Sequence, residues 1–252
     1  MATAWAYLDN PGPIPFAHRG GASEHPENTL AAFQSAVDLG YRYLETDVHV
    51  TADGVLLAFH DETLDRVTDR QGRIRDLPWS VVREARVDGQ EPIPLLEEIL
   101  GEWPEARVNI DVKHETSVEP LVETLRRTNS FDRVCVAAFS DGRLSRVRRL
   151  TGLRVCTALG PREIGQLRIA SFGWPAGTIG GACVQVPPRI GGRTLVDRRF
   201  VDTAHRRGLD VHIWTIDHAT EMERLLDLGV DGIMTDRPAI LKEVLERRSQ
   251  WT

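Results

Sequence analysis

The sequence predicts an α/β chain folded as a (β/α)₈ TIM barrel, one domain over residues 1–252. Three observations carry this. The length, 252 residues, matches one such barrel. Short apolar runs alternate with segments of helical spacing, as parallel strands joined by helical crossovers do. No Ser/Pro-rich linker or low-complexity tract divides the chain.

In chain order, the strand segments are 14–18, 43–50, 55–60, 107–112, 134–139, 153–158, 182–186, 211–215 and 232–235. That is one too many for a closed eight-stranded ring. The stretch Val50-Thr51-Ala52-Asp53-Gly54-Val55 removes the surplus: Asp-Gly at the tip of so short a connection is a hairpin signal and leaves no room for a crossover. Residues 55–60 therefore return antiparallel to 43–50, which brings His60 opposite residues 45–47, and eight parallel strands remain. The first helix, 28–39, opens at Asn28-Thr29 and stops at Gly40, residues suited to its two ends. Residues 61–91 fit no crossover and read as an irregular excursion over the barrel mouth, with a short helix near 79–86. With the hairpin, this insertion after the second barrel strand spans about 48–93, and such loops commonly shape substrate access. Later helices read as 95–100, 118–128, 142–150, 195–207, 219–228 and 239–248. Periodicity assigns no helix between 159 and 181.

Composition narrows the function. The formal net charge of −6 offers no basic stripe for nucleic acid. The N-terminus lacks the basic start and long apolar run of a secretory signal, and no apolar run reaches the ~18–20 residues that cross a bilayer. A soluble, cytoplasmic protein is expected. Cys135, Cys156 and Cys183 each lie in a short apolar strand segment and read as reduced core residues. Assembly into a homo-oligomer is left open.

Several strand segments end in residues that a pure core would not use: His18-Arg19-Gly20, Glu45-Thr46-Asp47, His60-Asp61, Asp111-Val112-Lys113, Phe139-Ser140, Trp214-Thr215 and Thr235-Asp236. In a barrel these ends meet at the C-terminal rim, where functional residues gather. Strand alternation puts Glu45 and Asp47 on one face. With Asp111 they form an all-carboxylate set for one divalent cation, suited to magnesium, calcium or manganese and poorly to structural zinc. The bland alternative is that these acids pair with nearby Arg or Lys. His18 and His60 are the acid–base candidates, because imidazole exchanges protons near neutral pH. Arg19 and Lys113 bring positive charge for a phosphate, and Trp214 an apolar wall. His25, His49, His114, His205, His212 and His218 read as surface, loop or core residues, with His49 noted for sharing the register of Glu45 and Asp47.

These motifs, with Pro26-Glu27-Asn28-Thr29, Val211-His-Ile-Trp-Thr-Ile216 and Gly229-Val-Asp-Gly-Ile-Met-Thr-Asp236, resemble the glycerophosphodiester phosphodiesterase family, in its bacterial cytoplasmic form, along essentially the whole chain. The resemblance implies a metal-dependent hydrolase that splits glycerophosphodiesters into sn-glycerol 3-phosphate and an alcohol. It also implies metal ligation by Glu45, Asp47 and Asp111, acid–base roles for His18 and His60, and phosphate contacts from Arg19 and Lys113. One departure is that the third metal position is commonly glutamate in the family and is the shorter Asp111 here, with Glu115 a candidate to compensate. Two other readings stay open: a lysophospholipase D-like activity, for which Leu77, Pro78, Trp79, Val81 and Val82 would supply an apolar mouth, and a non-catalytic barrel that binds a phosphodiester.

Overall fold

The computed structural model of the chain describes residues 5–252 apart from Ala176. Its strands are β1 (Ile14–His18), β2 (Tyr43–Val50), β3 (Leu56–Ala58), β4 (Arg107–Val112), β5 (Val134–Ala137), β6 (Cys156–Thr157), β7 (Cys183–Val186), β8 (Asp210–Ile213) and β9 (Gly232–Thr235). All but β3 are parallel and form one ring in chain order, with β9 paired back to β1. The seam between β6 and β7 is closed by the single bridge Ala158–Cys183. The eight-stranded barrel is therefore as expected, and β3 is the antiparallel return arm, pairing Val48 with Ala58 and Val50 with Leu56. One further bond, Phe59 N–H to the Asp47 carbonyl at 2.9 Å, carries the arm to the level of His60.

The ring follows from period-2 patterning. In β4, Val108, Ile110 and Val112 face outward, where they pack with Leu121, Leu125 and Leu144 of the surrounding helices. The intervening Asn109 and Asp111 line the interior cavity. Opposite, Val211, Ile213 and Ile233 pack with Phe200, Leu225 and Leu241. Each such side chain, once buried, contributes about 1.5–3 kcal/mol, and this outer layer is what holds the polar interior in place.

The helices are α1 (Leu30–Asp38), α2 (Trp79–Val82), α3 (Leu96–Glu102), α4 (Val118–Arg127), α5 (Asp141–Thr151), α6 (Pro161–Ala170), α7 (Arg198–Arg206), α8 (Ala219–Leu228) and α9 (Pro238–Arg247). Helix α6 has no counterpart in the sequence reading. Its apolar signal is weak, with Gly165 at its centre, and it is defined instead by Pro161 at its first turn and by Glu163, whose carboxylate accepts the Gly160 N–H at 3.0 Å. At α1 the cap is Thr29, which accepts from Ala32 N–H. Asn28 is not part of the helix: it sits at φ +58, a left-handed conformation asparagine tolerates.

The excursion also differs from expectation. Leu64, Ile74, Val82, Ala85 and Val87 pack with Leu57 and Phe59 of the return arm in a small core of their own. Its apolar residues fold under the hairpin, and no residue between 61 and 93 lines the cavity at the mouth. Among the described residues, no helix is long and apolar enough to cross a membrane.

Candidate active site

The C-terminal ends of the strands surround a cavity of about 480 Å³, and His18, Arg19, Glu45, Asp47, His60, Asp111, Lys113 and Trp214 all line it. Backbone register makes the assembly compact: His18 lies beside Glu45, and Asp47 beside Asp111. Arg19 and Gly20 turn the chain back at the rim with φ +51 and +83. At Gly20 a Cβ would fall 2.6 Å from the Ala32 Cβ, so only glycine lets α1 approach this closely.

Glu45, Asp47 and Asp111 are 4%, 2% and 6% exposed. Burial, reinforced by the charge of Asp47, pushes the Glu45 carboxyl up to about 7. At Asp47 burial also acts upward, but Lys113 and Arg19 outweigh it and hold the carboxyl below its ordinary value. Burial raises Asp111 against the pull of Lys113. The Lys113 ammonium stands 2.7 Å from both Asp47 Oδ1 and Asp111 Oδ2. Asp111 Oδ1 is buried without a hydrogen-bond partner. The three carboxylates do not bring one oxygen each within 4.8 Å of one another. In this arrangement Lys113 serves as the shared cation of Asp47 and Asp111.

Each imidazole is held through Nδ1 by its own carboxylate: His18 to Asp236 Oδ1 at 2.6 Å, His60 to Asp61 Oδ1 at 2.5 Å. Both bonds leave Nε2 as the nitrogen available to a substrate, and His18 Nε2 is 3.7 Å from Glu45 Oε2. Asp61 is held down to about 2, chiefly by its hydrogen bond with Arg66. Arg66 also donates to both Glu27 oxygens, and Glu27 accepts from Arg19 Nη1 at 3.1 Å. Arg19 Nε in turn lies 3.2 Å from Asp47 Oδ2. Asn28 donates to Asp47 Oδ2 at 3.2 Å and accepts from Thr46 at 2.8 Å. Asp61, Asp236, Glu27, Asn28 and Arg66 were not singled out from sequence. The first four sit in the motif segments, but nothing in a sequence separates a residue that orients a histidine from one that merely follows it.

Two positions read from sequence fall outside the cavity. Glu115 pairs with Arg146 at 3.1 Å on the exposed surface, so it does not compensate for the short Asp111. His49 bonds to the His60 carbonyl at 3.0 Å and so supports the hairpin.

Half of the cavity is apolar. Phe139, Leu159, Ile164, Val186, Ile190 and Trp214 line it, with the Phe139 and Trp214 rings edge-on at 5.7 Å. Phe139 and Ile190 are 65% and 58% exposed. This wall comes from the C-terminal ends of β5, β6, β7 and β8, with Ile164 of α6 and Ile190 of the hairpin joining Arg189–Ile190 to Arg193–Thr194, not from Leu77, Pro78, Trp79, Val81 and Val82.

The model of the glycerophosphoryl diester phosphodiesterase family matches residues 18–240, which contain every residue of this site. The chain belongs to that family. It is a phosphoric diester hydrolase with glycerophosphodiester phosphodiesterase activity. It is 39% identical to a probable glycerophosphodiester phosphodiesterase 2 of Mycobacterium tuberculosis, over 97% of this chain and 95% of that one. In three dimensions it resembles a glycerophosphoryl diester phosphodiesterase structure from Silicibacter pomeroyi, with a TM-score of 0.83 at 22% identity over 99% and 100% of the two chains. It also resembles an Oleispira antarctica phosphodiesterase solved with the product sn-glycerol-3-phosphate, with a TM-score of 0.79 at 23% identity over 93% and 97%.

Proposed function

We propose that the enzyme hydrolyses small glycerophosphodiesters to sn-glycerol 3-phosphate and an alcohol, in the cytoplasm, with His18 and His60 as its acid–base pair. The observation that carries this reading is the pair of imidazoles, each anchored at Nδ1 by a carboxylate, on one cavity with a buried three-carboxylate cluster. One histidine takes the proton from the attacking hydroxyl, either water or the glycerol 2-hydroxyl. That oxygen bonds to phosphorus, the bond to the leaving oxygen breaks, and the other histidine, charged at the start, returns a proton to the departing alcohol; where the 2-hydroxyl attacks, water then opens the cyclic phosphate to the monoester with the two histidines in exchanged roles. Arg19 and Lys113 receive the charge that gathers on the phosphoryl oxygens, and Trp214 borders the apolar side.

In the chemistry of its donors the set fits a single hard divalent cation, magnesium, calcium or manganese, around which the three carboxylates would draw closer than they stand here. Asp111 Oδ1 lacks a partner, and burial with the charge of Asp47 pushes the Glu45 carboxyl up to about 7, which a bound cation would offset. Glu45, Asp47 and Asp111 would hold the ion, which supplies Lewis-acid polarisation of the phosphodiester. Turnover of glycerophosphocholine checks the reading. We expect it to stop with chelator, return with added magnesium, calcium or manganese, and fall at least about 100-fold in His18→Ala and in His60→Ala. Full activity in either variant would remove that residue from the mechanism.

The apolar wall favours a second substrate on the same machinery, a lysophospholipid whose chain lies along Phe139, Ile164 and Ile190. A free glycerophosphodiester has no use for such a surface. Comparing hydrolysis of glycerophosphocholine with that of lysophosphatidylcholine separates the two, and activity on the latter alone would displace the first reading.

A further inference from the structure

At the opposite end of the barrel the interior holds three thiols. Cys135, Cys156 and Cys183 come from the consecutive strands β5, β6 and β7, and their sulfurs lie within 4.8 Å of one another. Cys135 Sγ is 3.7 Å from Cys183 Sγ. All three are free and buried among Tyr7, Phe16, Tyr43 and Met234. Sequence alone read them as packing residues.

Two features set the cluster apart from ordinary packing. The Tyr7 hydroxyl is buried without a hydrogen-bond partner, in the same packed cluster as the three thiols and edge-on to Tyr43. The His212 ring is fully buried and approaches the Cys183 sulfur, and its Nε2 also has no partner. Gln185, whose amide is oriented by Asn109 at 2.7 Å, lies 3.4 Å from His212 Nδ1 through Nε2, which only donates. Nδ1 therefore accepts, and the ring hydrogen sits on Nε2. A buried O–H and a buried N–H thus lie at the thiol cluster without an oxygen or nitrogen acceptor, and thiolates would accept from them. A cavity of about 370 Å³ lies under the barrel floor next to the cluster, lined by Leu8, Ala182, Leu209 and Asp210 among others. Ala182 directly precedes Cys183.

We propose that this cluster is a binding site for a soft d10 metal cation, of the copper(I) or zinc-group class, held by three thiolates. Each thiol releases its proton to solvent as its sulfur binds, and no electron is transferred. Tyr7 and His212 donate to the resulting thiolates and offset their excess negative charge. Soft sulfur ligands select such ions over the hard cations suited to the carboxylate cluster. Metal–sulfur bonds of about 2.3 Å in a three-coordinate plane put sulfurs about 4.0 Å apart, inside the range spanned here. Bound metal would also staple the β6–β7 seam, which has only the one bridge.

The test uses the full reduced protein with excess magnesium present, titrated with cadmium(II). A sulfur-to-metal charge-transfer band in the ultraviolet, which carboxylates do not give, should grow to one equivalent. The melting temperature should rise, and the three thiols should become at least tenfold slower to alkylate. Cys156→Ala and Cys183→Ala should each weaken binding at least 100-fold. The proposal is overturned if the folded parent shows no band at one equivalent, or if the band survives in both variants. Should a variant not fold, the alkylation rates of the parent decide: unchanged rates with one equivalent of cadmium(II) refute the site.

Discussion

Asp61 gives the sharpest handle on the proposed chemistry, because it touches His60 and not the cavity. Its Oδ1 accepts from His60 Nδ1 at 2.5 Å and its Oδ2 from Arg66 Nε at 2.6 Å, and it does not line the cavity. Replacing it by alanine removes a hydrogen bond to a charged group, worth about 1.5–3 kcal/mol. If that bond holds the imidazole in its working tautomer and orientation, kcat should fall roughly 10- to 150-fold at about 1.4 kcal/mol per decade, with KM little changed. Asp61→Asn should lie between alanine and the parent. The assay is steady-state hydrolysis of glycerophosphocholine in the parent, Asp61→Ala, His60→Ala and the double variant. Asp61→Ala should cost nothing further once His60 is gone; independent, multiplicative losses would refute the idea that Asp61 acts through His60. Stability supplies a control with a definite sign. A carboxyl held to about 2 in the fold, against about 3.9 unfolded, stabilises above the unfolded value and loses that contribution as pH falls through about 2. Parent and Asp61→Asn should therefore differ at neutral pH by no more than about 2.6 kcal/mol, less for solvent screening, and converge below pH ~2.

Phe139→Ala with Ile190→Ser should lower kcat/KM for lysophosphatidylcholine about tenfold or more, each buried methylene being worth ~0.8 kcal/mol, and leave glycerophosphocholine unaffected; equal losses on both substrates would argue against an acyl-chain wall. Gly20→Ala should lose folding or activity, since its Cβ would meet the Ala32 Cβ at 2.6 Å on a φ of +83; a variant with the parent's melting temperature and rate would show that α1 can shift freely. Phe200→Ala, fully buried under β8 and β9, should cost about 3–5 kcal/mol in urea unfolding with little change in kcat for the folded fraction.

Much of this architecture was legible because it rests on local rules. Alternation in Val108-Asn109-Ile110-Asp111-Val112 gives both a strand and the direction of its carboxylate, and Asp53-Gly54 gives a reversal that delivers His60. The same alternation brought the eight residues of the site to one rim. What escaped depended on contacts distant in the chain. The Asp236–His18 bond joins residues 218 apart, and no spacing announces it. Helix α6 escaped because Gly165 and its polar neighbours blur the 3.6-residue period, and its contribution to the apolar wall, Ile164, went with it. The excursion was misplaced for the converse reason: Leu77, Trp79 and Val82 are apolar enough for a mouth, and only packing against the return arm shows which way they face.

The second imidazole is carried by a strand that returns against the barrel rather than by one of its eight staves. Its position is therefore decoupled from barrel closure: the excursion can be lengthened, shortened or exchanged between relatives without touching the ring. Any such chimera must nevertheless inherit Arg66 together with Glu27 and Asp61. A foreign insert that lacks that arginine would fold onto the same hairpin and leave His60 unbraced, yielding a sound barrel with its second imidazole out of place.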